Sequence, residues 1–270
     1  MIIEQAYNIL KTRYKVIFDE LTISEVRIGK FLTAVRLSDG STGIASSLED
    51  DHPFCSKAER DFSEFTPAKI KGHKVRVLFE MKKDSNLISS LKTASLNAIS
   101  SEMISSGKYK VIENCDPIQL LNLESRKTIT IVGGFQSYIQ KISKTGCRLN
   151  VLELNENALQ PDQKKFYVPA NEYTRIIPAS DIVIITGQTL VNGTIDGLLS
   201  AVGEGTQVIV TGPSGSILPD VLFENRVSII GAVRITRPEL LFDIVGEAGL
   251  AYHLFEYGVA QKICVLKENG

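Results

Sequence analysis

The sequence has almost no net charge: 30 Lys and Arg stand against 31 Asp and Glu, a formal balance of −1. No global positive field is available to draw in a phosphate backbone, so nucleic acid is not an expected partner. The densest basic stretch, Lys69, Lys71, His73, Lys74 and Arg76, is short and reads as a solvated face. Long apolar runs are missing as well, and nothing approaches the ~18 uninterrupted apolar residues of a membrane span. The start, MIIEQAYNILKTRYKVIF, reaches Glu4 after two apolar residues and lacks the basic start and apolar core of a signal peptide. The expected address is the cytoplasm, without a membrane partner.

Paired metal ligands are also lacking. Cys55, Cys115, Cys147 and Cys264 are scattered without a C-x-x-C, which excludes a zinc knuckle or a thioredoxin motif and predicts reduced thiols. His52 and Cys55 in "DDHPFC", beside Asp50 and Asp51, make one metal-like pairing, but Pro53 intervenes and no second pair follows. A polar loop is the simpler reading, and no metal site is assigned. His52, His73 and His253 have no readable partners for a Ser-His-Asp set, so no catalytic nucleophile is assigned either.

What is present is enough to fold. With 270 residues, 43% hydrophobic and 23% charged, the chain can bury a full core and divides into two domains. The periodicity predicts a helix over residues 2–13, then a meander of about three antiparallel strands through "TISEVRIG" and "FLTAVRLSDGSTGIASS", with a hairpin turn at Asp39-Gly40. A long polar loop over 47–72 follows; loops of that length usually serve a site. A helix in "DSNLISSLKTASLNAISSEMISSG", with Asp84 as its N-cap, stripe Leu87, Leu91, Ala94 and Ala98, and Gly107 as its stop, closes a first domain at about 1–108. Over 109–270 six Val/Ile-rich runs, "TITIVGG", "RLNVLEL", "DIVIITG", "TQVIVTG", "VSIIGAV" and "KICVL", alternate with helical stretches. That pattern predicts a Rossmann-like α/β domain whose mostly parallel sheet is covered on both faces.

In such sheets ligands bind beyond the carboxyl ends of the strands. The first end, Gly133-Gly134-Phe135, allows a tight turn, but Phe135 stands where G-x-G-x-x-G requires its second glycine, so a standard NAD site is not expected. Twenty residues after Gly133, Glu153 ends the next run, where an adenosyl-type site places an acid on ribose hydroxyls. The third end, "ITGQTLVNGTIDGLL", admits two readings: Asn192 or Thr194 caps the following helix, or Thr186, Gly187, Thr189, Asn192 and Thr194 form part of a site. The fourth, "VTGPSGS", repeats the chemistry with Gly212, Pro213 and Ser214 but lacks the P-loop lysine. Together the last two would make a nest of N–H groups for a carboxylate, a small anion or an oxyanion.

"DIVIITGQTLVNGTIDGLL" followed by "VIVTGPSGSILPDVLFENRV", together with "STGIASSL", "LKTASLNAI" and "IVGGF", resembles the prokaryotic family described as "putative heavy-metal chelation". The resemblance implies an enolase N-terminal-like α+β domain before the Rossmann-like one, and a site in the cleft between them. It also implies a distant relation to Rossmann-type methyltransferases, from which no methyl transfer follows. Condensation or hydrolysis on the way to a flavin-, pterin- or siderophore-like chelator is the implied chemistry, with chelation a property of the product. The ligand residues it implies are those named at the four strand ends, joined by Asn97 of "SLNAI", whose amide would orient the ligand or be bonded to backbone. The leading expectation is an enzyme acting on a small polar or heterocyclic metabolite; the alternative is a carrier of a metal chelate or nucleoside-like ligand. An acid–base pair separates the two, and Asp50, Asp51 and His52 would supply it if their loop covers the cleft. No cofactor or oligomeric state is assigned.

Overall fold

The alternating first third of the chain forms three antiparallel strands, β1 (Ile23–Ile28), β2 (Leu32–Leu37) and β3 (Thr42–Ser46). The computed structural model describes residues 1–48, 57, 60, 62–123 and 126–267, apart from the side chains of 16 and 17. Gly40, at φ +89°, turns β2 into β3, and Asp39 Oδ1 accepts the Ser41 N–H at 2.9 Å to hold that turn. Before the meander lie α1 (Ile2–Arg13) and α2 (Lys15–Glu20), and after it α3 (Val75–Glu80) and α4 (Asn86–Ser105).

The meander is buried on both faces, which its period of two makes legible. Val35, Leu37 and Ala45 face one core, while Leu32, Ala34 and Ile44 face another. The first face meets α4. Its strand β3 lies on the helix backbone itself, since a Cβ on Gly43 would stand 2.1 Å from the Ala94 carbonyl oxygen and 2.3 Å from the Ala98 nitrogen. Three buried hydroxyls of α4 return to the preceding turn: Ser90 donates to Asn86 O, Thr93 to Ser89 O and Ser100 to Leu96 O, all within 2.9 Å. The cap differs from the sequence reading. Ser85, not Asp84, accepts the Ile88 N–H, because it sits one residue before the first helical turn in an extended conformation.

The second sheet has eight strands in the order β4 (Lys110–Glu113), β11 (Ala260–Leu266), β10 (Val227–Ile235), β9 (Gln207–Thr211), β8 (Ile182–Thr186), β5 (Thr128–Val132), β6 (Arg148–Glu153) and β7 (Tyr167–Pro169). From β10 to β7 every pairing is parallel. All six apolar runs of the sequence are strands of this sheet. The short edges β4 and β7 carry too few apolar residues to be read in advance. One run has the opposite sense: β11 is antiparallel to β10, with Ile235 opposite Ala260, because α10 (Pro238–Gly246) and α11 (Ala251–Glu256) return the chain to the end of the sheet it left.

Helices α5 (Gln136–Ile142), α6 (Tyr173–Ile176), α7 (Gln188–Val191), α8 (Ile195–Ser200) and α9 (Pro219–Glu224) complete the layers. On one face Tyr138, Ile139 and Ile142 of α5 pack on Ile129, Ile131 and Val151. On the other, Val183 and Val210 share a continuous core with Val35 and Leu91 of the first domain. Leu241, Phe242 and Val245 of α10 reach across to the outer face of the meander. The fold is thus a small antiparallel α+β domain and a larger mostly parallel α/β domain, with apolar packing running between them. Among the described residues no helix is long and apolar enough to cross a membrane.

Candidate functional site

After β5 the chain pairs β6 on one side and later β8 on the other, so the strand order switches direction there, the position at which open α/β sheets leave a crevice. Beyond the ends of β5, β6 and β8 lies a cavity of about 300 Å³. Its lining includes Gly133, Gly134, Phe135, Glu153, Thr186, Thr189, Asn192 and Thr194, eight residues singled out from the sequence. Val132, Leu152, Leu154 and Leu198 supply apolar wall, and the remaining lining is Ala170 and Gln188.

The turn after β5 is dictated by glycine. Gly133 has φ +104°, a conformation L side chains rarely adopt, and any Cβ there would stand 3.0 Å from Thr186 Cγ2. A Cβ on Gly134 would lie 3.5 Å from Glu153 Oε2, so the carboxylate sits over bare backbone. Glu153 is held from behind: its Oε1 accepts the N–H groups of Leu154 at 2.8 Å and Asn155 at 3.3 Å. Among the described residues Oε2 has no protein donor, and Glu153 is the cavity's one acidic or basic side chain.

In the loop after β8 the side chains that line the cavity also bond to one another and to their own backbone. Thr189 donates to the Thr186 carbonyl at 2.6 Å, and Thr186 Oγ1 accepts the Gln188 N–H at 3.3 Å, so both hydroxyls brace the start of α7. Asn192 Oδ1 accepts the N–H and the hydroxyl of Thr194, at 3.1 and 2.7 Å. Neither residue caps α8 through its side chain.

Three of the N–H groups expected in a nest are spent on backbone carbonyls. Gly187 N donates to Thr211 O at 2.8 Å, Gly212 N to Gly231 O at 3.2 Å and Gly215 N to Gly212 O at 2.8 Å. The first of these bonds ties the end of β8 to the end of β9, the second ties the β9 loop to β10, and the third closes the β9 loop on itself. Gly187 is glycine because the loops touch: a Cβ there would be 2.4 Å from Gly215 N.

Three other expectations separate from the cavity. Asn97 is 3% exposed and donates to Ile44 O at 2.6 Å and Pro213 O at 3.1 Å, which makes it a clasp between the domains bonded to backbone. Ser214, equally buried, accepts the Ser46 N–H at 2.8 Å in the same seam. Gly212 and Pro213 face a second cavity, across Phe135. The first cavity is lined wholly by residues between 132 and 198, inside the larger domain rather than in the cleft between the two. Where Asn97 and Ser214 meet backbone the seam is closed, while a separate cavity of about 360 Å³ between the domains is lined by Ser85, Ser89 and Lys92 on one side and Leu190, Asn192 and Asp196 on the other.

Asp50, Asp51, His52 and Cys55 lie outside the described residues. His73 packs on Phe65 with ring centres 4.8 Å apart, and His253 Nδ1 accepts the Leu250 N–H at 2.9 Å; neither lines the cavity. No group of three or more His, Cys, Asp or Glu able to hold a metal occurs among the described residues. The wall residues Leu152, Leu154, Ala170, Gln188 and Leu198 were not foreseen. Leu154, 78% exposed at a strand end, is the one that carries a signal, since an apolar side chain immediately after Glu153 has no core to enter.

A switch-point cavity with one carboxylate and mostly apolar walls, on a Rossmann-like scaffold, is the candidate site among the described residues. Two family models, each described as "Putative heavy-metal chelation", match residues 116–264 and 12–100. The first covers more than half of the chain, and the protein belongs to this family. It is similar over its whole length to two solved members whose function is unknown. The Pyrococcus horikoshii protein shares 19% identity over 98% of both chains at a TM-score of 0.76. The Desulfitobacterium hafniense protein shares 20% identity over 96% of this chain and 99% of its own at a TM-score of 0.72. Identities this low carry the fold and not an activity. Among curated proteins none matches.

Proposed function

We propose that the protein binds a small, flat or partly apolar metabolite bearing neighbouring hydroxyls, such as a nucleoside-like compound, at the ends of β5, β6 and β8. The observation that carries this reading is Glu153: one carboxylate oxygen is fixed by its own loop and the other lies over Gly134 with no donor among the described residues. An ionised carboxylate only accepts, so it calls for hydroxyl or amine donors on the ligand. The apolar walls accept a ring face, and Gly134 lets it approach closely.

Two uses of such a site are distinguished by acid–base chemistry. Action as an enzyme, by condensation or hydrolysis toward a heterocyclic chelator, is what the sequence resemblance implies, and it needs a second titratable group beside Glu153. Carriage of a ligand, a metal chelate included, needs only the cradle, and a lining with one carboxylate among the described residues favours it. A thermal-shift screen against nucleosides, S-adenosylmethionine, pterins, flavins and metal chelates tests the reading, because a ligand specific to the native state raises Tm. One class should stabilise the wild type and lose its effect in Glu153→Gln. A shift that survives that substitution unchanged refutes the assignment of Glu153. Mass spectrometry of the stabilising compound after incubation then separates enzyme from carrier, by whether it is recovered altered or intact.

A further inference from the structure

The second cavity, about 540 Å³, opens on the other side of the β5–α5 turn and shares only Gly134 and Phe135 with the first. Its floor is made by Gly231 in mid-strand. A Cβ there would stand 2.2 Å from Thr211 Oγ1 and 2.4 Å from Pro117 Cγ, so the missing side chain lets Thr211 and the Asp116-Pro117 turn meet beneath the cleft. Its walls are aromatic: Phe135 on one side, stacked on Tyr138 at 5.3 Å, and Tyr252 and Phe255 of α11 on the other. Tyr252 is 61% exposed, an aromatic ring left in water at the cleft mouth.

Among the described residues the only formal charges in the lining are Asp116 and Lys262, brought together from 146 residues apart at 2.6 Å. Asp116 is engaged at both oxygens. Its Oδ1 accepts the Tyr138 hydroxyl and the Ile118 N–H, and its Oδ2 accepts Lys262. Burial works against its charge, but Lys262 and Tyr138 hold its carboxyl below the usual range, while burial and then Asp116 push the Tyr138 hydroxyl up and keep it neutral. Lys262 spends one of its three N–H donors on Asp116. Its side chain is 47% exposed against 21% for Asp116, and it lies over the Phe255 ring at 5.1 Å. What the cleft shows to a ligand is therefore an oriented ammonium between aromatic faces.

We propose that this cleft is a second small-molecule site, which takes a flat ring carrying a carboxylate or phosphate, the ring between Phe135 and Tyr252 and the anion on Lys262. It is independent of the first cavity, and the two ligands would lie on opposite sides of Phe135. Asp116 and Tyr138 are positioning residues that fix the ammonium.

Calorimetric titration of the full chain with 2-naphthoate and its uncharged analogue 2-naphthamide tests the proposal. The wild type should prefer the carboxylate about tenfold, the worth of one partly exposed charge-assisted contact. Lys262→Met should abolish that preference while leaving 2-naphthamide binding in place, and Tyr252→Ala, on an exposed residue, should weaken both. Glu153→Gln should change neither, which separates this site from the first. Equal affinity of the wild type for the two probes, no binding of 2-naphthoate at millimolar concentration, or a preference that survives Lys262→Met overturns it.

Discussion

Gly187→Ala puts the contact between the β8 and β9 loops to a direct test. The new Cβ would stand 2.4 Å from Gly215 N, 2.9 Å from Gly215 Cα and 3.0 Å from the Ser214 carbonyl carbon, all backbone atoms with no flexible end to give way. The nearest approach is about 1 Å inside ordinary van der Waals contact, so the loops must part by that distance. Parting them strains the Gly187 N–Thr211 O bond at 2.8 Å and drags Ser214 from its bond with Ser46 at 2.8 Å. Overpacking of this kind costs ~1–3 kcal/mol, and the two linked bonds place this case at about 3. For a chain of this size the loss corresponds to a fall in Tm of roughly 5–10 °C. Urea unfolding followed by circular dichroism measures it, with Gly146→Ala as the control: that glycine is exposed, has no atom within 4 Å of the added Cβ and has no positive φ. The control should be neutral or gain a few tenths of a kcal/mol through its unfolded state, about the lower end of the usual range. A Gly187→Ala midpoint indistinguishable from wild type would refute the claim that backbone contact dictates this residue.

Other outcomes follow from the same geometry. Asn97→Asp replaces a donor to Ile44 O and Pro213 O with a buried carboxylate facing two carbonyls; a loss of ~3 kcal/mol or more is expected in the same unfolding assay, and a loss below ~1 would show that the clasp is not formed. Ser214→Ala should cost about 1 kcal/mol, since the Ser46 N–H loses its acceptor. Because the folded carboxyl of Asp116 titrates below its unfolded value, its stabilisation is present above pH ~4 and disappears as pH falls through the folded value. The stability gap between wild type and Asp116→Asn should therefore be constant near neutrality and close in acid; a gap unchanged down to pH 2 would contradict the pairing. Elemental analysis of protein purified without metal-affinity resin should find no stoichiometric metal, and a bound equivalent would overturn the preference for a ligand-borne metal.

Much of the fold is local and was legible. Val/Ile runs of strand length became the inner strands, alternation in the first third became the meander, and Gly40 and Gly107 stand with φ of +89° and +84° where a turn and a helix stop were expected. The likeness of "ITGQTLVNGTIDGLL" and "VIVTGPSGS" to one family pointed to the family that the chain belongs to. Half of the site was legible for a general reason: parallel strands end on the same side, so residues at the ends of β5, β6 and β8 had to gather at the switch point. The sequence by itself thus determined which residues end strands and which positions require glycine, because propensity and periodicity act over a few residues. Only the tertiary structure decided what those residues face. Asn97 finds its partners 53 and 116 residues away, Ser214 meets Ser46 across 168, and Lys262 reaches Asp116 across 146. Contacts at such separations depend on how the two sheets pack, which buried Asn97 and Ser214 in the seam between the domains and opened the two cavities on either side of Phe135.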